Sequence, residues 1–318
     1  MSEMAPRHGA ERELHPRAFV VTVFWTLGLL FLGSVVHATE SSLACPDWPT
    51  CFGSMVPEMT GGVFWEHLHR LVAGGLVLMF VLATWLTHKE VSDRPWMFRA
   101  CLAGLGLLLV QSVFGGITVI YELPTAVSTS HLSLALIFVS LATVLASSSA
   151  WRPKGVTMPE RTASRLQRFA AVTVGLVFAQ SVVGGLVRHL DAGMSCPDAP
   201  LCLGQVVPPL VNPLITTHFL HRLLGVITAL AIIGLAVWAV RAGVPKPIRR
   251  WTTVAAWLVV AQVLLGFASV LTVLAVAPVS VHTLVAASLL VILVHVTTTA
   301  AQVEKPAQHA ERATAAWS

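Results

Sequence analysis

The sequence predicts an all-α integral membrane protein, its eight transmembrane helices arranged as two tandem pseudo-symmetric four-helix bundles. Three observations carry this expectation. The 318-residue chain is 55% hydrophobic and only 11% charged, against about 25% charged residues in an ordinary soluble domain. It holds eight apolar runs, each near the roughly 20 residues a helix needs to cross a bilayer. Its second half also repeats motifs of its first at a nearly constant offset.

The runs fall at 18–38, 64–87, 98–121, 126–149, 168–190, 215–240, 251–275 and 279–301. Hydrocarbon offers no partner to a backbone amide, so each run is expected to be helical. The first follows a polar tail and ends in His37 rather than at a small-residue cleavage site, so it reads as a retained helix. Lysine and arginine orient the chain. Arg7, Arg12 and Arg17 precede the first run. Lys89, Arg94 and Arg99 follow the second; Arg152, Lys154, Arg161, Arg165 and Arg168 follow the fourth. Arg241, Lys246, Arg249 and Arg250 follow the sixth, and Lys305 and Arg312 follow the eighth. All lie on one face, so both termini are expected to be cytoplasmic. The net charge of +5 is thus a topology signal and not a nucleic-acid footprint. The expected organisation is a cytoplasmic tail (1–17), a first half (18–150), a cytoplasmic linker (151–167), a second half (168–301) and a second cytoplasmic tail (302–318).

The repeat is clearest in two outer loops. Cys45-Pro-Asp-Trp-Pro-Thr-Cys51-Phe-Gly53 matches Cys196-Pro-Asp-Ala-Pro-Leu-Cys202-Leu-Gly204 at six of nine positions. His69-Arg70 matches His221-Arg222, Gln111 matches Gln262, and His131 matches His282. Four spans per unit keep both units in one orientation, which makes the repeat parallel. Gln111-Ser-Val-Phe-Gly-Gly116 also resembles Gln180-Ser-Val-Val-Gly-Gly185; this echo reads as close helix packing with a cross-helix glutamine.

Histidine carries the chemistry. Ionisable residues inside membrane helices are costly and are functional candidates by default. His69 and His131, and again His221 and His282, stand about one turn inside their helices at matching depth. One imidazole from each of two neighbouring helices suits the two axial bonds of a haem iron. Zinc wants three or four ligands; His218, or Glu66 in the first half, leaves such a site formally open. Arg70 and Arg222 break the positive-inside pattern and suit haem propionates, with lipid phosphate or the loops as the alternative partners. Glu66 stands three residues before His69, on the same helix face, where the second half has His218. It reads either as a proton-transfer group beside a bound substrate or as an interfacial carboxylate paired with a nearby cation. His37 and His189 end the first and fifth helices on the outer side. His8, His15, His88 and His309 lie in tails or at a helix end, and His295 lies inside the last helix with no partner legible. Cys45–Cys51 and Cys196–Cys202 suit short-loop disulfides on an oxidising face, or redox-active thiols. Cys101 reads as packing.

With these residues in view, nearly the whole chain resembles the haem A synthase family, whose cysteine-bearing branch it matches. The resemblance rests on eight spans in tandem halves, both cysteine pairs, the runs Glu66-His-Leu-His69-Arg70 and His218-Phe-Leu-His221-Arg222, and His131 with His282. It implies an oxidoreductase of a bacterial plasma membrane, with the cysteine loops outside, that oxidises a methyl group of haem O to the formyl group of haem A. By the same resemblance His69 and His131 hold the substrate haem, His221 and His282 hold a haem b cofactor, and Glu66 is the important carboxylate. Haem O synthase, a terminal oxidase and membrane lipid are the implied partners. The rival reading is a di-haem b-type cytochrome that exchanges electrons with a quinone; the ligand pattern alone fits both.

Overall fold

The computed structural model of the protein describes residues 13–152 and 155–303. Arg7, His8, Arg12, Lys154, Lys305, His309 and Arg312, and with them most of both expected tails, lie outside the described residues. Among the described residues the regular structure is helical: α1 (His15–Ala38), α2 (Gly61–Glu90), α3 (Pro95–Ile120), α4 (Thr125–Ser148), α5 (Glu160–His189), α6 (Pro213–Arg241), α7 (Lys246–Leu271) and α8 (Val276–Gln302), with a short 3-10 turn at Ala192–Met194. All eight α-helices are long and apolar enough to cross a membrane. Large apolar side chains on their outward faces are open, Leu109 by 69% and Trp257 by 73%. A water-facing surface would not sustain so much bare hydrocarbon; a lipid-facing one does.

Local chemistry sets the helix ends. Proline occupies the first turn of α3, α6 and α7, where its missing N–H would be unpartnered anyway. The Asn212 side chain accepts from Leu214 N–H at 2.9 Å and caps α6. Glu90, at the end of α2, accepts from the backbone N–H groups of Leu14 and His15 at 2.8 and 2.9 Å and from His15 Nδ1. One carboxylate thus joins the start of α1 to the end of α2. Hydroxyl groups inside the spans, such as Thr22, Thr84 and Thr143, donate back to the carbonyl four residues earlier, which satisfies them without leaving the helix.

Two boundaries differ from the hydropathy pattern. α5 begins at Glu160, so much of the segment expected as a linker is helical. Arg161, Arg165 and Arg168 are exposed while Leu166 and Ala170 are buried, an amphipathic pattern that carries a helix beyond its apolar stretch. α7 ends at Leu271, and Val273 and Leu274 take left-handed φ values of 52° and 60°. The same turn, at Glu122 and Leu123, follows α3. Residues 273–275 are apolar, so hydropathy alone runs straight through the break.

Each helix packs on its sequence neighbours, α1 also meets α4, and α5 also meets α8. The two rings of four touch through α1, α4, α5 and α8. In α4 and α8, Phe138, Leu145, Leu289 and Leu290 are fully enclosed.

Candidate functional site

The four candidate histidines fall at matching heights in their helices. His69 and His221 are the ninth residues of α2 and α6; His131 and His282 are the seventh residues of α4 and α8. At 1.5 Å of rise per residue all four stand roughly 9–12 Å from the helix starts, near the cysteine loops. The structure brings the second expected pair together. The rings of His221 and His282 lie 6.5 Å apart, centroid to centroid, at 67°.

Each imidazole is backed by a glycine of an odd-numbered helix. A Cβ added at Gly33 would lie 3.1 Å from His69 Cε1, and one at Gly115 would lie 3.2 Å from His131 Cε1. One at Gly184 would lie 2.9 Å from His221 Cε1, and one at Gly266 would lie 3.2 Å from His282 Cε1. The rings rest directly on helix backbone. One turn before three of these glycines stands a glutamine whose amide meets the same ring. Gln111 Nε2 lies 3.3 Å from His131 Nε2, Gln180 Nε2 3.1 Å from His221 Nδ1, and Gln262 Nε2 3.2 Å from His282 Nε2. His282 Nδ1 also donates to the Gln262 carbonyl at 3.1 Å, so its lone pair is on Nε2, where the Gln262 amide meets it. The expected cross-helix glutamines are therefore part of the site. The signal was present in the sequence: glutamine four residues before glycine in α3, α5 and α7, with Leu29 in its place in α1.

The cysteine loops cover the loop-side ends of the helices. Cys45–Cys51 and Cys196–Cys202 are disulfides with Cα atoms 4.8 and 4.7 Å apart. Within the first loop Asp47 accepts from Phe52 N–H at 2.6 Å, Gly53 N–H at 2.9 Å and the Thr50 hydroxyl. Asp198 accepts from Leu203 N–H and Gly204 N–H, both at 2.7 Å. The Thr50 hydroxyl first, then the Gly53 amide, hold the Asp47 carboxyl below its ordinary range; the Gly204 amide does the same for Asp198. Gly53 and Gly204 both sit at a φ of 72°, where a side chain would be strained.

The expected propionate donors are engaged elsewhere. Arg70 donates to the carbonyls of Asp47 (2.7 Å), Thr50 (2.6 Å) and Cys45 (3.4 Å), and to Glu66 Oε1 at 2.6 Å. Arg222 donates to the carbonyls of Asp198 (2.8 Å), Leu201 (2.5 Å) and Cys196 (2.6 Å). Both arginines tie a cysteine loop to the helix turn that carries a histidine, so loop pairing is the role the geometry gives them. Glu66 is buried, and its Oε2 accepts from Cys45 N–H at 2.8 Å. His218, at the matching position, bonds through Nδ1 to the Ala192 carbonyl at 2.9 Å.

His37 and His189 bond to each other, Nε2 to Nδ1 at 3.0 Å, with stacked rings. Arg188 donates to the His37 carbonyl at 2.6 Å and to Glu40 at 2.9 Å. This polar bridge joins α1 to α5 at the level of the loops. His295 finds a partner that the sequence concealed: its Nδ1 bonds Ser147 Oγ at 3.0 Å, between the rings of Trp151 and Trp251. Cys101 is buried against Thr87, as packing requires.

The family profile described as cytochrome oxidase assembly protein matches residues 17–62 and 58–294, which takes in all four histidines and both cysteine loops. This chain belongs to the haem A synthase family. It is 27% identical to the heme A synthase of Alkalihalophilus pseudofirmus over 81% of this chain and 89% of that one. It is 29% identical to that of Halalkalibacterium halodurans over 67% of this chain and 72% of that one, and 26% identical to that of Shewanella oneidensis over 79% and 86%.

The residues present fit a haem. An imidazole nitrogen sits about 2 Å from a metal, so two imidazoles on opposite faces of one iron place their ring centres on the order of 6 Å apart; the second pair stands at 6.5 Å. Buried polar atoms are normally partnered. Yet Nδ1 of His69 and of His131, and Oε1 of Gln111, Gln180 and Gln262, are buried with no protein partner. This deficit gathers around the imidazoles.

Proposed function

We propose that the protein oxidises a methyl group of haem O to the formyl group of haem A, with the substrate between His69 and His131 and a haem b cofactor between His221 and His282. The observation that carries the assignment is an asymmetry between otherwise matching sites. The first pair has a buried carboxylate, Glu66, three residues before His69; the second has His218 there. The His69 ring also lacks the glutamine that meets each of the other three, because Leu29 stands where the glutamine would be. A less tethered imidazole suits a group that must arrive and leave; a fully braced pair suits a resident cofactor. Haem b, when bound, supplies one-electron acceptance. His69 and His131 fix the substrate by its iron. Glu66, held in one place by Arg70 and Cys45 N–H, takes up a proton released as the methyl group is oxidised in two successive steps. The loops shield that position from bulk water.

The same reading makes the two sets of four helices tandem halves. It places the cysteine loops outside a bacterial plasma membrane and both termini in the cytoplasm, as the distribution of lysine and arginine supports. A haem O-making enzyme upstream and a terminal oxidase downstream are the corresponding partners.

The test is extraction of haems from protein purified out of a host that makes haem O, with Glu66→Gln and Glu66→Ala variants alongside. Haem A or its alcohol precursor from the parent protein is expected, with haem O accumulating in the variants while haem b is retained. Haem b alone from all three, despite abundant haem O, would favour an electron-carrying cytochrome and make Glu66 a loop anchor only.

A further inference from the structure

We propose that Cys45, Cys51 and His67, once the disulfide is reduced, form a three-ligand site for a soft monovalent cation, Cu(I). The two sulfurs and a ring nitrogen of His67 all lie within 4.8 Å of one another, and all three residues are buried. His67 Nε2 donates to the Met55 carbonyl at 3.1 Å, which leaves the lone pair on Nδ1. That Nδ1 is buried with no partner. A carbonyl that fixes one ring nitrogen while the other stays free is the usual support of a metal-bound imidazole.

The second loop shows that His67 is not needed to build such a turn. It closes the same six-residue disulfide and is held by the same kind of arginine contacts. Aligned on His69-Arg70 and His221-Arg222, the residue opposite His67 is Phe219. The third ligand therefore belongs to the first loop alone. Backbone contacts also place both cysteines independently of their S–S bond. Cys45 N–H donates to Glu66, and Cys51 exchanges two hydrogen bonds with Ser54 at 2.9 and 3.1 Å.

The donor set selects the ion. Two thiolates and an imidazole are soft, which disfavours calcium and magnesium. Zinc takes four ligands in closed sites. Among the described residues the cluster holds no fourth histidine, cysteine or carboxylate, and the nearby Glu66 is engaged by Arg70. Cu(I) is content with soft ligands in low number. The site forms in two balanced steps. An external dithiol gives its two hydrogens to the Cys45 and Cys51 sulfurs, breaks their bond and becomes a disulfide itself. Cu(I) then displaces the two thiol protons to solvent.

The inference is independent of the haem assignment, because its readout is copper and not haem conversion. The full-length, haem-loaded protein in detergent is reduced with a dithiol, freed of it anaerobically and titrated with Cu(I) against a chromogenic chelator. One copper per chain is expected, with sulfur scattering in its X-ray absorption spectrum. His67→Phe, which copies the second loop, and His67→Gln, which can still donate toward Met55, should each weaken binding by roughly tenfold or more. A Cys196→Ser/Cys202→Ser double variant should bind as the parent does. Copper left wholly with the chelator, parent-level affinity in the His67 variants, loss of the site in the second-loop variant, or a disulfide that resists the dithiol would each overturn the proposal.

Discussion

Gly184→Ala is the sharpest test of the glycine seats, because it adds one methyl group and removes nothing. The new Cβ would stand 2.9 Å from His221 Cε1, where carbon atoms settle at about 3.5–4.0 Å. The ring would have to retreat by roughly 0.6–1 Å to restore that spacing. The ring is also tied to this same helix by Gln180, whose amide lies 3.1 Å from Nδ1 and 2.9 Å from the His221 carbonyl. Metal–nitrogen bonds tolerate displacements of only about 0.2 Å, so the misfit falls on ligation. Overpacking of this kind costs about 1–3 kcal/mol, or about 5- to 140-fold in haem affinity at 1.4 kcal/mol per decade. Gly175→Ala, on the same helix with nothing within 4 Å of the added atom, is the control. It should leave haem content intact and favour the helix by about 1 kcal/mol. The assay is haem b per chain, with the visible spectrum of the purified protein. Full haem content and an unchanged spectrum in Gly184→Ala would refute the reasoning that His221 is a ligand braced against α5.

Gly33→Ala, which places a methyl group 3.1 Å from His69 Cε1, should lower haem O retention while haem b stays, as extraction of both haems will show. Gln262→Leu removes the amide from His282 but leaves the backbone carbonyl that holds Nδ1. With the competitor for the Nε2 lone pair gone and the Nδ1 support kept, haem b should bind at least as tightly, as haem content per chain will show. His295→Phe strands the fully buried Ser147 hydroxyl at about 1–3 kcal/mol; a lower Tm with unchanged haem content is expected, and haem loss would contradict a purely structural His295. Asp47 has a folded pKa below its unfolded value of 3.8. Its contribution to loop order is therefore complete above that pH and fades as pH falls through the lower, folded value. The reduction rate of the Cys45–Cys51 disulfide, taken relative to a small-molecule disulfide at the same pH, should accordingly stay flat from neutrality to about pH 4 and rise only below it. Asp47→Asn should raise that ratio across the flat range and change it little below.

The sequence by itself determined the membrane class, the eight spans, the repeat and the four histidines. Each of these is written in one-dimensional spacing. A bilayer imposes a minimum length of apolar helix, a parallel repeat imposes a constant offset, and an intramembrane imidazole is too costly to be idle. What the sequence left open was decided by neighbours distant along the chain. Arg70 and Arg222 looked available to a ligand, but loops some 20 residues away bring unpaired carbonyls to their guanidinium groups. His295 looked partnerless until α4 placed Ser147 against it. The turns at Glu122–Leu123 and Val273–Leu274 depend on φ angles that apolarity does not encode. The glycine seats lie between these extremes. Their spacing is in the sequence, but a glycine in a membrane helix has meaning only through what rests on it, and only packing brings an imidazole to that place.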